Sequence, residues 1–279
     1  MNVYVLIENT TDSALASEHG LSLFIEYDGK KILLDAGATS TFMDNAIKMN
    51  VDIANADFCV LSHGHYDHSG GLAEYFCRYP NKKVYAMESA VDEYYSGSGG
   101  CIHEIGIPKT VYPAHKKKFV FVTKVTEISK GIYVVPHSTE GLGEIGQRAK
   151  LYKKMDGEYI PDDFSHEMSL VIDTKKGLIV FNSCSHSGIV NILKEVKTYF
   201  GDKKIYAFFG GLHMKGKDGD KEICIFSDDE ISEMTKHVKS IGLNKLYTGH
   251  CTGIVGYKII KQYMGNSAEY ICAGRVIEV

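Results

Sequence analysis

Residues 62–71 read Ser62-His63-Gly64-His65-Tyr66-Asp67-His68-Ser69-Gly70-Gly71. Four side chains able to bind a metal, His63, His65, Asp67 and His68, fall within six positions of one another. The run Asp57-Phe58-Cys59-Val60-Leu61 leads into them and reads as a buried strand. Neutral imidazoles and a carboxylate suit zinc, iron or manganese. Buried without a cation, each of these groups would need its own hydrogen-bond partner, at a risk of roughly 2–7 kcal/mol apiece. A solvated, His-rich loop is the plain alternative, and the ligand-like spacing argues against it.

That spacing, His-x-His-x-Asp-His, resembles the signature of the metallo-β-lactamase superfamily, and the resemblance extends over the whole chain. It implies a four-layer αββα sandwich of the α/β class. It also implies that His63 and His65 bind one metal while Asp67 and His68 bind a second, with further ligands from later loops. A tight turn after a buried strand aims neighbouring side chains at two nearby points, and two metals about 3.5–4 Å apart can share one water.

Working outward, the composition allows such an enzyme and excludes several other classes. The 279 residues are 44% hydrophobic and 24% charged, as in a soluble globular protein. A net charge of −4 leaves no nucleic-acid footprint. The triplet Lys116-Lys117-Lys118 reads as a solvated loop. No apolar run approaches the ~18 residues of a membrane span. Met1 to Glu8 lack a basic segment and a cleavage site, so no signal peptide is expected. Seven cysteines, an odd number, argue against a disulfide framework and for a reducing cytoplasm. Cys59, Cys77, Cys224 and Cys272 have apolar neighbours and are expected to pack as small hydrophobes.

Strands and helices alternate along the chain. Val3–Ile7 reads as a strand, and Leu21–Tyr27 with Lys31–Asp35 as a hairpin about Asp28-Gly29. Phe42–Met49 is helical by its apolar spacing, Gly71–Tyr79 is a short helix stopped by Pro80, and Lys83–Met87 is a strand. Residues 89–147 read as loop-rich decoration. The stretch Tyr94 to Gly100 is expected to be flexible, and short strands are expected at Phe119–Thr123, Glu127–Ser129 and Ile132–Val135. Beyond it come the hairpin Ser169–Thr174 and Leu178–Asn182, the helix Gly188–Phe200 and the strand Lys204–Phe209. A helix Asp228–Ile241 follows, with Ser227 and Glu230 as a capping box. Asn244–Tyr247, Ala268–Cys272 and Arg275–Val279 close the chain as strands. One domain over residues 1–279 is the expectation.

Three later strand ends carry histidines among small residues: Asn182-Ser-Cys184-Ser-His186-Ser-Gly188, Gly210-Gly-Leu-His213 and Gly249-His250-Cys251-Thr252-Gly253. The ends of strands in such sheets are where ligands bind. The resemblance makes His250 the last ligand of the second metal. For the first metal's third ligand His186 and His166 are the candidates, and His186 is preferred, with His166 and His213 as pocket residues. Where much of the superfamily has a bridging Asp, this chain has Cys184, a thiolate ligand or a buried bystander. The four motifs together look like one branch of the superfamily, that of 7,8-dihydropterin-6-methyl-4-(β-D-ribofuranosyl)-aminobenzene-5′-phosphate synthase.

The resulting expectation is a cytoplasmic, hydrolase-like enzyme with two divalent metal ions, zinc ahead of iron and manganese. Its substrate would be a small molecule of pterin or ribosyl-phosphate type, with no nucleic-acid or membrane partner. Asp67 would hold a metal and orient the attacking water, and His213 or His166 would donate a proton or hydrogen bond. A phosphodiesterase or phosphoesterase of the same fold is the nearest alternative, and a metal-binding sensor or scaffold is the non-enzyme one. A secreted β-lactamase, a nuclease and a flavin-linked diiron oxidoreductase fit less well. No secretory signal and no basic surface are expected, and position 65 holds His where the last of these would have Glu.

Overall fold

The computed structural model describes residues 1–279. By its internal packing the chain divides into two compact units. One comprises residues 1–123, 139–168 and 272–279, the other residues 124–138 and 169–271.

The first unit is built on a seven-stranded sheet in the order Val276–Glu278, Asn2–Ile7, Ser22–Tyr27, Lys30–Leu34, Phe58–Val60, Val84–Met87 and Phe119–Val122. The hairpin about Asp28-Gly29 forms as expected, with Leu23 opposite Leu34 and Tyr27 opposite Lys30. From Lys30–Leu34 onward the strands run parallel. The chain therefore leaves Leu34 and Val60 at the same sheet end, side by side, since these two residues are paired. Helices Thr41–Lys48 and Leu72–Arg78 cover one face. They bury Phe42, Met43, Ala46, Leu72, Tyr75 and Phe76 against Leu6, Phe24 and Leu33. Each such side chain contributes about 1.5–3 kcal/mol. Residues of the opposite face, Val3, Val5, Leu23, Ile25, Ile32 and Val60, are buried too, which explains the near-continuous apolar runs. Cys77 corrects one expectation. It is exposed, because it falls on the outward face of the helix whose inner face carries Tyr75 and Phe76.

Residues 94–100 differ from expectation as well. Tyr94–Ser96 is a strand in a small sheet of order Glu158–Pro161, Leu151–Met155, Tyr94–Ser96 and His103–Glu104. Its pairing partner, Leu151–Met155, lies more than fifty residues on, so no local pattern announces it.

The second unit has a seven-stranded sheet in the order Ala268–Tyr270, Lys245–Thr248, Ile205–Phe209, Gly177–Phe181, Met168–Thr174, Ile132–Pro136 and Thr126–Ser129. Its strands Gly177–Phe181, Ile205–Phe209 and Lys245–Thr248 are parallel neighbours. Helices Ile189–Phe200, Asp228–Ile241 and Gly253–Met264 pack Ile192, Leu193, Val196, Ile231, Val238 and Ile260 against Val180, Phe208 and Leu246. The capping box at Ser227 and Glu230 forms in both directions. The expected α/β class is met: each unit carries a mixed sheet with helices on one face. No helix is long and apolar enough to cross a membrane.

Candidate metal centre

In the first unit the parallel pair of strand ends sets the chemistry. Asp35 follows Leu34 and Ser62 follows Val60 by two residues, so one carboxylate faces the start of the histidine turn. Asp35 is buried, and its Oδ1 accepts the Ser62 N–H at 2.8 Å. Its Oδ2 accepts the Ser62 hydroxyl at 2.7 Å and His68 Nδ1–H at 2.8 Å. An ionised carboxylate only accepts, so the His68 proton sits on Nδ1 and the lone pair on Nε2. Ser62 Oγ, its proton given to Asp35, accepts from His63 Nδ1 at 2.8 Å, which fixes His63 in the same tautomer.

The imidazoles crowd together: His63 lies 4.5 Å from His65 and 4.2 Å from His68, ring centre to ring centre. Three cationic rings at this spacing would repel, and burial together with the adjacent His166 pushes His65 down to about 3, keeping it neutral. His68 Nε2 stands 3.6 Å from Asp67 Oδ2. That is longer than a hydrogen bond, and it is the edge expected between two ligands each about 2.1 Å from one tetrahedral ion. Neutral imidazoles turned through their Nε2 atoms, beside a carboxylate, fit a divalent cation. The exposed His19 also approaches Asp67 Oδ2, at 3.3 Å. Gly64 is required where it stands, because a Cβ there would come within 2.2 Å of the Ala90 carbonyl oxygen.

His166 stands behind this turn. Its Nδ1 accepts the Gly64 N–H at 2.9 Å and its Nε2 pairs with Asp162 Oδ2 at 3.0 Å. Burial would raise the Asp162 carboxyl, but its pairing with His166 outweighs this and holds it below its usual value. Tyr94 lies over the His166 ring at 4.0 Å. With both nitrogens engaged, His166 braces the His63–His65 backbone. Asp162 and Asp35 carried no motif in the sequence. Asp35 did end an apolar strand, and a carboxylate at the close of such a run is the signal that would have found it.

In the second unit the three parallel strands deliver the three later motifs to one sheet end, as the sequence implied. His186 and His213 lie with ring centres 4.4 Å apart. The Leu212 N–H bonds Thr252 Oγ1 at 2.9 Å, and the His213 N–H bonds Cys251 Sγ at 3.3 Å, tying the second turn to the third. Possible ligand atoms of Cys184, His250 and Cys251 all lie within 4.8 Å of one another. Burial would raise the Cys251 thiol, yet hydrogen bonds from Cys184 and His213 and the charges of His250 and His213 hold it well below its usual value. Cys251 was read only as part of a Gly-His motif, and Cys184 is therefore one of a buried pair. Gly211 must lack a side chain, since a Cβ there would meet Cys251 Sγ at 2.3 Å.

Residues 18–150 match the family model described as the metallo-β-lactamase superfamily. Over its whole length the chain is 28% identical to the 7,8-dihydropterin-6-methyl-4-(β-D-ribofuranosyl)-aminobenzene-5′-phosphate synthase of Methanocaldococcus jannaschii, covering 96% of it. A solved metal-dependent hydrolase of the β-lactamase superfamily superposes with a TM-score of 0.83 at 30% identity, covering 100% of this chain and 99% of that one. A diphosphatase of the PhnP family shares the fold, with a TM-score of 0.56 at 16% identity and coverage of 100% and 97%.

Proposed function

We propose, for a chain that belongs to the metallo-β-lactamase superfamily, that this enzyme acts with two divalent metal ions on a small molecule of pterin or ribosyl-phosphate type. The ligands in this reading are His63, His65, Asp67, His68, His186 and His250, and the ions are zinc ahead of iron or manganese. The observation that carries it is the first unit's histidine turn. Ser62 and Asp35 engage the Nδ1 atoms of His63 and His68, so that Nε2 is the nitrogen each ring would present to an ion. Bound there, such ions supply Lewis acidity that activates a water and polarises a carbonyl or phosphoryl oxygen.

The protein's own groups do the rest. Asp67 accepts hydrogen bonds and orients a water for attack. In this reading His213 gives a proton or hydrogen bond to a leaving group or phosphate oxygen, supported by its buried Nδ1, which has no hydrogen-bond partner within the protein. The substrate class rests on the full-length likeness to the M. jannaschii synthase, and a cytoplasmic location is part of the same reading.

Elemental analysis of protein purified without chelator tests the metals, and anomalous scattering from crystals locates them. Two ions per chain are expected, with His65→Ala losing at least one. Turnover of pterins, phosphodiesters and lactones is then compared in one screen. Hydrolysis of phosphodiesters with pterins inert would transfer the assignment to a phosphoesterase. A wild-type chain without stoichiometric metal would refute the reading.

A further inference from the structure

Behind the turn that carries His186 runs a row of largely buried polar side chains, of which His137, Ser169 and Glu195 lay outside every motif. Glu195 projects from the second turn of the helix Ile189–Phe200. Its Oε2 accepts His137 Nδ1–H at 2.6 Å, and its Oε1 accepts the Ser138 N–H at 3.2 Å. The proton of a neutral His137 therefore lies on Nδ1, and Nε2 accepts. Ser169 Oγ donates to Nε2 at 2.8 Å, and Asn182 Nδ2 donates to Ser169 Oγ at 3.1 Å while standing 3.3 Å from Nε2. The other end of the same amide, Asn182 Oδ1, accepts the Ser185 N–H at 2.7 Å. Ser185 holds a left-handed φ of 54°, and its hydroxyl donates to Gly211 O at 2.7 Å, in the turn that leads to His213.

We infer that His137, oriented by Glu195, is a positioning residue for His186. When His137 Nε2 no longer accepts, the Ser169 hydroxyl can turn its proton toward the Asn182 oxygen instead, and the Asn182 amide can rotate by half a turn to meet it. Rotated, it points NH2 at the Ser185 N–H, donor against donor, and the clamp on the strained residue is lost. His186 follows Ser185 directly and loses its fixed direction, and the Gly211 link carries the effect to His213. The consequence for metal rests on the reading of His186 as a ligand; the fixing of the turn does not.

Glu195→Gln, Glu195→Ala and His137→Phe test it, each with two measurements. One is cobalt affinity, by competition with a chromophoric chelator. The other is amide exchange of residues 183–188 in metal-free protein. His137→Phe and Glu195→Ala are expected to weaken cobalt binding about 10–100-fold and to speed Ser185 exchange about tenfold or more. Glu195→Gln, which still offers an acceptor to His137, should restore most of both. Lower thermal stability with cobalt affinity within about twofold of wild type overturns the inference, because a purely structural role gives that result. Should His137→Phe not fold, Glu195→Ala, at a partly exposed position of the helix, makes the same comparison. If the wild type itself takes up no cobalt, the metal reading falls, and the exchange of Ser185 alone decides whether His137 fixes the turn.

Discussion

Replacing Asp35 by Asn probes the histidine turn with the least disturbance. Asp35 sits at a φ of 57°, a left-handed conformation that Asn tolerates as well as Asp, so the substitution adds no backbone strain. Its shape is unchanged; what changes is that one of two acceptor atoms becomes a donor. If the amide oxygen keeps the Ser62 N–H, the NH2 faces the Ser62 hydroxyl and His68 Nδ1. His68 must then accept at Nδ1 and carry its proton on Nε2, the atom 3.6 Å from Asp67. A protonated Nε2 cannot ligate. If the amide turns the other way, its NH2 meets the Ser62 N–H head-on and that bond is lost. Either way the metal pays: loss of such a supporting carboxylate lowers affinity about 10–100-fold, or about 1.4–2.8 kcal/mol. The metal-free protein should lose a further ~1.5–3 kcal/mol of stability, because the bonds replaced were to a charged group. Cobalt titration against a chelator and denaturant unfolding without metal measure the two effects. An Asp35→Asn protein with wild-type cobalt affinity and an unaltered cobalt spectrum would show that the carboxylate does not set the His68 tautomer.

His166→Ala should leave the number of bound ions unchanged while destabilising the fold by about 3–5 kcal/mol, because it strands the buried Asp162 charge; loss of one ion at full stability would instead make His166 a ligand. Metal-free protein should also lose stability as pH falls from 6.5 toward about 3, the window set by His65. In that range the unfolded chain binds a proton that the folded one refuses, so stability must rise with pH and level off above 6.5. Denaturation midpoints across that range should slope upward, and His65→Asn should flatten part of the slope; parallel curves for the two proteins would count against a buried neutral His65.

The parts legible in the sequence were those whose cause is local. The hairpin about Asp28-Gly29, the capping box at Ser227 and the histidine turn each declare themselves within ten residues, and the structure places them within a residue or two of expectation. The helix Gly253–Met264 went unread, since its opening Gly-Ile-Val-Gly favours helix poorly. The hairpin Lys215–Asp218 with Lys221–Cys224 went unread for another reason: Lys-Gly-Lys-Asp presents no alternating apolar face. The supporting shell was harder still. Asp35 lies 27 residues from Ser62, and Glu195 lies 58 from His137, and only strand pairing or helix packing brings them together. Ligand motifs are written in order along the chain, whereas the groups that hold them are gathered by the fold.

One departure from local preference occurs in each of the two units. Asp35, Ser185, His213 and His250, at or just beyond the ends of parallel strands, all adopt left-handed backbone conformations without being glycine, with φ between 47° and 57°. Each costs on the order of 1–2 kcal/mol relative to the ordinary conformation. Three of them are visibly held. Ser62 and His68 fasten Asp35, Asn182 and Gly211 fasten Ser185, and Cys251 Sγ takes the His213 N–H. Strain kept at several strand ends, and held there by buried hydrogen bonds, is what a site needing fixed imidazole directions requires. The same reasoning says where substitution by glycine should be harmless to the backbone and harmful to chemistry. At Ser185 a glycine relieves the φ but removes the hydroxyl that binds Gly211, so the fold should hold while the coupling of His186 to His213 loosens.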